Sequence, residues 1–285
     1  MILPGTRLLL VIFSGLTLLA FVVLFGLADE TERDFAWTIK PPATAAFLGA
    51  AYAAGCVLVV LAMRKGTWAA LRIPFLTILV FAIATLIATL LHLDRFHFGS
   101  EVLAARYAAY FWMGVYVLVP PAMVAALIIQ ERRPTPFPDP LVMPTALRVT
   151  VLVQGLVLLA VGSALFGVPA VATALWPWPL TPLTARVVAA WLLAFGLCAI
   201  LAWNSKDLAR LDVAAWAYGL LSVLEVVVII RYTGTVRWST PAIWVYLALA
   251  ASILATSAYA LVRLHRSPPR ERIGPGQPAA DTVVQ

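Results

Sequence analysis

Apolar residues fall into eight long runs along the chain, and the shorter stretches between them hold most of the charged residues. Each run has about 20 residues, which is enough for a helix to cross some 30 Å of hydrocarbon. Helix is the required state because backbone groups in lipid need internal hydrogen-bond partners, and the runs lack the alternating period of a barrel strand. The pattern predicts transmembrane helices at 8–27, 43–63, 73–92, 105–129, 149–168, 183–203, 213–230 and 242–262.

The runs also repeat. GLTLLAFVVLFG begins at Gly15, and GLVLLAVGSALFG begins at Gly155. Landmarks outside these blocks recur 141 residues apart, which composition alone would not produce: Arg7/Arg148, Trp37/Trp178, Pro41/Pro182, Gly55/Gly196 and Lys65/Lys206. Four helices per repeat is an even number, so both repeats enter and leave the membrane on the same side. The predicted fold is an all-α integral membrane protein with eight transmembrane helices in two parallel four-helix repeats.

This organisation divides the chain into four parts. The repeats occupy 1–133 and 146–266. The segment 134–145 contains five prolines and is predicted to be a stiff linker on the cytoplasmic side. The tail, 267–285, is polar and rich in Pro and Gly, so it is predicted to be disordered.

Composition places the chain in a bilayer, because 63% of its residues are hydrophobic and only 12% are charged. Positive charge is retained on the cytoplasmic side of a membrane. With the N-terminus inside, that side would hold thirteen of the twenty Lys and Arg residues, so both termini are predicted to be cytoplasmic, in an inner membrane. The net charge of +7 then suits anionic headgroups. No basic run is interleaved with aromatics, so the expected partner is the bilayer and no nucleic acid.

The first apolar run could be a cleavable signal peptide, but two observations favour a permanent helix. It is longer than the usual hydrophobic region of a signal peptide. Its repeat partner, 149–168, also lies mid-chain, where no signal peptidase acts.

Four further patterns concern packing. Trp37, Trp176 and Trp178 are expected in the headgroup layer, where the indole N–H stays wet. Prolines 41, 42 and 182 suit the first turn of the helix that follows. Small residues recur every fourth position in the second helix and predict close helix contact: Ala46, Ala50 and Ala54, with Gly49 and Ala53 beside them. Cys56 and Cys198 are predicted to be packing residues rather than a disulfide or metal ligands.

Glu225 is the acidic residue that lies well inside a predicted helix. A carboxylate in hydrocarbon must face the bundle interior, find a partner or be neutral. Tyr218, Ser222, Glu225 and Tyr232 follow steps of four, three and seven, so they form one polar stripe on an apolar helix.

The matching helix of the first repeat carries a second stripe, formed by Thr85, Thr89 and His92. If the repeats pack about an axis, the two stripes are expected to face each other. Together they would bind a proton, a cation or a polar solute. The structural alternative is a hydrogen bond that ties two helices together.

The loop that starts at His92 reads HLDRFHFGS and is longer than its counterpart in the second repeat. His92, Asp94 and His97 are of metal-ligand type, but they do not match the HExxH pattern, and Arg95 would repel a cation. We therefore predict a hydrogen-bonded or pH-sensitive loop and no metal. Arg186, a single charge near the end of the sixth helix, is expected to reach the headgroup layer.

Three functions remain open. The first is a carrier or channel-like protein for a small or amphipathic solute, with a proton or cation site at Glu225 and no cofactor. The second is a non-catalytic subunit or scaffold that docks a partner membrane protein. The third is a lipid-acting enzyme that uses the loop at His92. A water-sized cavity between the repeats beside Glu225 would favour transport, a dry closed bundle the scaffold, and a crevice open to lipid beside His92 and Asp94 the enzyme.

Overall fold

A computed structural model describes residues 1–133 and 140–266. This part of the chain is helical, with two isolated β-bridges, and contains eight helices long and apolar enough to span a membrane, as the sequence predicts. It is therefore the fold of a multi-pass membrane protein. The helices are α1 (Pro4–Phe21, continued by a π-helical turn at Val22–Gly26), α2 (Pro42–Arg64), α3 (Trp68–Leu90), α4 (Leu103–Glu131), α5 (Thr145–Gly167), α6 (Pro182–Ser205), α7 (Leu211–Arg231) and α8 (Pro241–Arg266).

Two predicted segments fall wholly or partly outside the described residues. The tail at 267–285 lies outside them, and so do positions 134–139 of the predicted linker. The rest of the linker forms no helix before α5, and Val142 within it forms an isolated bridge with Asp207.

The boundaries of α3 differ from the prediction. The helix begins at Trp68 rather than at position 73, and Pro74 lies inside it. The Thr67 hydroxyl caps the helix by accepting from the Ala70 N–H at 3.4 Å, which adds a turn before the proline. The helix ends at Leu90, so His92 lies just beyond it, in the connection to α4.

The small residues of α2 bring it close to α1, as predicted. Ala46, Ala50 and Ala54 are buried. A Cβ at Gly49 would lie 2.5 Å from the backbone nitrogen of Phe25, in the π-helical turn of α1. Only a glycine leaves room for backbone at that distance.

The helices form one bundle in which α2, α3 and α6 are the most buried. Helix α2 packs against α1 and α7, while α6 packs against α5 and α3. Helix α4 lies against α3, and α8 lies against α7. The terminal face of the bundle carries the chain start, the α2–α3 and α6–α7 connections and the residues just before α5. The distal face carries the α1–α2, α3–α4, α5–α6 and α7–α8 connections.

Aromatic rings fill the centre between the first four helices and the last four. Phe81 of α3 stacks on Trp191 of α6 with ring centroids 3.8 Å apart. Tyr52 and Phe195 extend the cluster at 5.1 and 5.2 Å from the Trp191 ring. The bundle is therefore closed at this level.

The tryptophans expected in the headgroup layer are instead buried. Trp37, Trp176 and Trp178 are at most 3% exposed. The Trp178 Nε1–H donates to the Thr44 hydroxyl at 2.9 Å, and the Trp37 ring lies 4.8 Å from the Trp112 ring. The prediction was wrong because the connections fold inward over the helix ends, so their indoles pack in the core. The prolines do begin helices, since Pro42 and Pro182 occupy first-turn positions.

Candidate functional site

Glu225 lies inside the bundle on α7, with 4% of its surface exposed. Its Oε2 accepts a short hydrogen bond from the Tyr246 hydroxyl of α8. Its Oε1 is also buried but has no hydrogen-bond partner among the described residues. One of the two oxygens of this carboxyl group is therefore unpaired, which is costly in an apolar interior.

A cavity of ≈ 100 Å³ adjoins Glu225, between α5, α6, α7 and α8. Water occupies about 30 Å³ per molecule in the liquid, so the space suits a small ligand or several waters. Four lining residues carry a hydroxyl or carboxyl group: Tyr218, Ser222, Glu225 and Tyr246. The rest of the lining is mostly aliphatic and aromatic, and includes Phe47, Val161, Trp176, Leu192, Phe195, Leu221, Leu249, Ala250 and Ile253.

The cavity reaches the lipid-facing surface towards the distal end of the bundle. Two of its lining residues, Leu175 and Val245, are more than half exposed. They lie after α5 and near the start of α8, respectively. Further towards the terminal face, Gln154 ties α5 to α8 by donating to the Ser252 hydroxyl at 2.8 Å and the Thr256 hydroxyl at 3.0 Å. The cavity is thus open at Leu175 and Val245, and the Gln154 hydrogen bonds bound it on the side of the terminal face.

Three of the four residues in the predicted α7 stripe line this cavity: Tyr218, Ser222 and Glu225. The Tyr218 hydroxyl also donates to the Phe195 carbonyl at 3.2 Å. Tyr232 does not join them, because α7 ends at Arg231 and the chain turns away. Its hydroxyl donates to Asp29 at 3.1 Å on the distal face, and burial raises the pKa of Tyr232 to about 12.

The second predicted stripe does not face the first. Thr85 and Thr89 are buried on α3, which packs mainly on α6 and α4, whereas α7 packs on α2 and α8. The Thr89 hydroxyl accepts from Trp112 Nε1 at 3.0 Å and donates to the Thr85 carbonyl at 2.8 Å. The expectation that the stripes meet was wrong, because each lies against the next helix along the chain.

His92 pairs with Arg186 instead of with Glu225. The guanidinium donates from Nη1 to His92 Nε2 at 2.6 Å and from Nε to the Phe166 carbonyl at 3.1 Å. Burial, and then the Arg186 charge, lower the pKa of His92. Arg186 therefore ties α6 to the ends of α3 and α5, rather than reaching for headgroups as expected.

The other loop candidates have separate partners. Asp94 pairs with Arg95 at 3.0 Å on the surface. The His97 ring lies 3.0 Å from the Phe35 carbonyl through Nδ1 and 3.0 Å from the Thr38 hydroxyl through Nε2. These contacts are those of a hydrogen-bonded loop that packs on the α1–α2 connection. Within 1–133 and 140–266, no three His, Cys, Asp or Glu side chains come together as metal ligands would.

Two residues of the site were not identified from the sequence. The Tyr246 hydroxyl donates a hydrogen bond to Glu225, and the Trp176 ring lies 5.6 Å from the Tyr246 ring. Neither stands out in the chain, because a tyrosine in an apolar helix and a tryptophan in a connection are both typical of a membrane boundary. The packing of α8 on α7 brings Tyr246 to Glu225, and the connection between α5 and α6 places the Trp176 ring beside Tyr246.

A second cavity, of ≈ 150 Å³, lies among the first four helices. It is lined by Tyr52, Trp112 and Tyr116, and the two tyrosine hydroxyls are 2.7 Å apart. Its acidic lining residue, Asp34, already forms a two-pronged ion pair with Arg33, with contacts of 3.0 and 2.8 Å. This pairing lowers the pKa of Asp34.

No protein-family model, curated protein sequence or solved structure matches this chain.

Proposed function

We propose that this protein is a carrier for a small amphipathic solute, which it holds in the cavity among α5–α8 with Glu225 as the polar anchor. One observation carries the proposal: Glu225 Oε1 is buried beside the cavity and has no hydrogen-bond partner among the described residues. A carboxyl group kept only for structure would be expected to use both oxygens, since leaving a buried acceptor unpaired costs about 1–3 kcal/mol or more. A bound solute would supply the missing donor.

The remaining lining supports an amphipathic solute. Its aliphatic and aromatic side chains suit an apolar tail, while the hydroxyl and carboxyl groups lie together on α7 and α8. The exposed rim at Leu175 and Val245 gives access from the lipid. A solute dissolved in the bilayer could therefore enter sideways.

Helix contacts support the two parallel repeats that the sequence predicts. Helix α1 packs on α2 as α5 packs on α6, and α3 packs on α4 as α7 packs on α8. Between the two sets of four helices, α2 packs on α7 and α6 packs on α3. Two like units that pack against each other are expected to make equivalent contacts of this kind. Each unit also holds a cavity, and Leu16 and Ala20 line one where Val157 and Val161 line the other. Carriers built from two like halves work by rocking one half against the other.

The scaffold is the second candidate, and a specific observation favours it. Apart from Phe47 of α2, the Glu225 cavity is lined by residues of the last four helices and their connections, whereas the centre between the two sets of helices is filled by the Phe81–Trp191 stack. A tightly packed centre suits a subunit that holds its shape while it docks a partner.

Photolabelling tests the carrier proposal. The probe is a medium-chain alkanol that bears a diazirine, added to the purified full chain in lipid nanodiscs. We expect adducts on peptides of α7 and α8. Ala250→Trp fills the cavity and should abolish them, whereas Ala251→Trp, whose side chain is exposed on the same helix, should retain them. Equal labelling of both variants, or no labelling of the native chain, would contradict the proposal.

Native mass spectrometry of the gently purified protein separates the two candidates. A small amphipathic molecule that stays bound in the native chain and in Ala251→Trp, but not in Ala250→Trp, supports the carrier. A partner chain in fixed ratio, with no small molecule, supports the scaffold.

A further inference from the structure

The geometry around Glu225 points to the chemical class of the solute: we infer that the site takes a lipophilic amine in its ammonium form. This inference rests on the proposed function, which places an amphipathic solute in the cavity among α5–α8. It adds that the polar head is a cation with N–H donors.

Charge balance is the first argument. Among the described residues that line the cavity there is no Lys, Arg or His, so the lining offers Glu225 no positive partner. An ionised carboxylate in hydrocarbon is costly unless a positive group or a proton neutralises it. An ammonium head supplies both the missing charge and a donor for Oε1. An alcohol supplies the donor alone, and a carboxylate head would be repelled.

Aromatic rings around the carboxyl group are the second argument. Phe47, Trp176 and Tyr246 line the cavity, and their rings contact one another, with centroids 5.1 Å apart for Phe47–Trp176 and 5.6 Å for Trp176–Tyr246. Cations are attracted to the faces of such rings, most strongly where water is excluded. The rings would therefore favour an ammonium head over a neutral head of the same size.

The second cavity provides an internal comparison. It is of similar size and also apolar, but its carboxyl group, Asp34, is already paired with the Arg33 guanidinium. An ammonium head would therefore gain little attraction from Asp34, whose charge is already neutralised. An amine should thus occupy the cavity at Glu225 in preference to the cavity at Asp34.

The test uses three diazirine probes with the same alkyl chain and different heads: a primary amine, an alcohol and a carboxylate. Affinities are measured on the full chain in nanodiscs, from the concentration dependence of labelling at α7 and α8. We expect the amine to bind about tenfold or more tighter than the alcohol, equivalent to about 1.4 kcal/mol. The carboxylate should bind most weakly. Labelling by the amine at α1 and α4 should be minor.

Glu225→Gln should lose that advantage, so that its amine affinity falls to the level of its alcohol affinity. Asp34→Asn is the matched control and should bind the amine as the native chain does. Unchanged alcohol binding by Glu225→Gln shows that the variant is folded; if it binds neither probe, Glu225→Asp, which keeps the charge, must retain the amine preference.

The results distinguish a failure of the amine class from a failure of the carrier site. Equal binding of amine and alcohol in the native chain, with labelling still abolished by Ala250→Trp, overturns the amine class and leaves the carrier site standing. Absence of labelling by every probe overturns both.

Discussion

Single polar side chains supply the specific contacts between the membrane-spanning helices. Gln154 joins α5 to α8, Trp112 joins α4 to Thr89 of α3, and Tyr52 joins α2 to α4 through a neighbouring tyrosine. Such groups are expected to find partners because lipid offers none. Glu225 differs from these groups because one of its oxygens remains unused.

We predict that His92 makes the folded protein less stable in acid. Its pKa is lowered in the folded protein, mainly by burial and then by Arg186, so the unfolded chain binds this proton more readily. Above about pH 7.5 His92 is neutral in both states; as the pH falls through its unfolded value of about 6.5, the unfolded state gains the proton first and stability declines. The native Tm should therefore fall between about pH 7.5 and pH 5.

His92→Gln removes this contribution while keeping an acceptor for Arg186. The other charges near the ring, Asp94 and Arg95, are the same in both proteins. The variant should thus lose less Tm over the same pH range, as measured by thermal unfolding in detergent. Parallel curves for the two proteins would show that His92 does not contribute.

At the scale of the helix, close packing depends on where the glycines lie. The π-helical turn at the end of α1 rests on Gly49 of α2. Gly196 of α6 also lies close to α5, because a Cβ there would lie 3.0 Å from the Gly155 carbonyl oxygen. In both places the close neighbours include backbone atoms, which cannot rotate away as a side chain can.

Gly49→Ala tests this contact. The added methyl group would lie 2.5 Å from the Phe25 nitrogen, so α1 must move, and overpacking of this kind costs about 1–3 kcal/mol. The matched control is Gly15→Ala on α1, where an added Cβ meets nothing within 4 Å and alanine is the better helix former. Thermal unfolding should show a lower Tm for the first variant and an unchanged or higher Tm for the second. If the two behaved alike, the close approach would not limit stability.

At the scale of the whole molecule, polar contacts join the first four helices to the last four on both the terminal and the distal face. Lys65 and Asp212 form an ion pair of 2.5 Å on the terminal face. On the distal face Arg231 donates to the Phe25 carbonyl at 2.7 Å and to Asp29 at 3.2 Å. These exposed pairs add little energy singly. Their positions link the first four helices to the last four at both ends of the bundle.

The distribution of positive charge predicts how the whole molecule is oriented in the membrane. Because thirteen of the twenty Lys and Arg residues belong to the side of the termini, that side is expected to be cytoplasmic. Single cysteines at Gly5 and Gly99, both exposed and with room for a side chain, would report opposite faces in a background without Cys56 and Cys198.

The measurement is labelling of spheroplasts with a membrane-impermeant maleimide. Gly99→Cys should react at once, whereas Gly5→Cys should react only after permeabilisation. The reverse order would mean that the termini lie outside, and Gly234→Cys, on the distal connection between α7 and α8, should follow Gly99→Cys in either case.

The sequence alone was enough to find the eight helices and the polar part of the site. The length of an apolar run is a local property, and the cost of an unpaired backbone group in lipid converts that length into a helix. The same reasoning identified Tyr218, Ser222 and Glu225, because polar groups one or two turns apart share a helix face. All three line one cavity in the folded protein.

Only the tertiary structure decided what that face meets. Lipid is as apolar as the bundle interior, so the hydrophobic pattern does not say which side of a helix packs on which neighbour. Small residues, aromatic shapes and single hydrogen bonds make that choice, and they place Tyr246 at Glu225, Trp112 at Thr89 and Arg186 at His92. The sequence therefore determined the spans and the stripe at Glu225, while helix packing determined the partners that turn the stripe into a site.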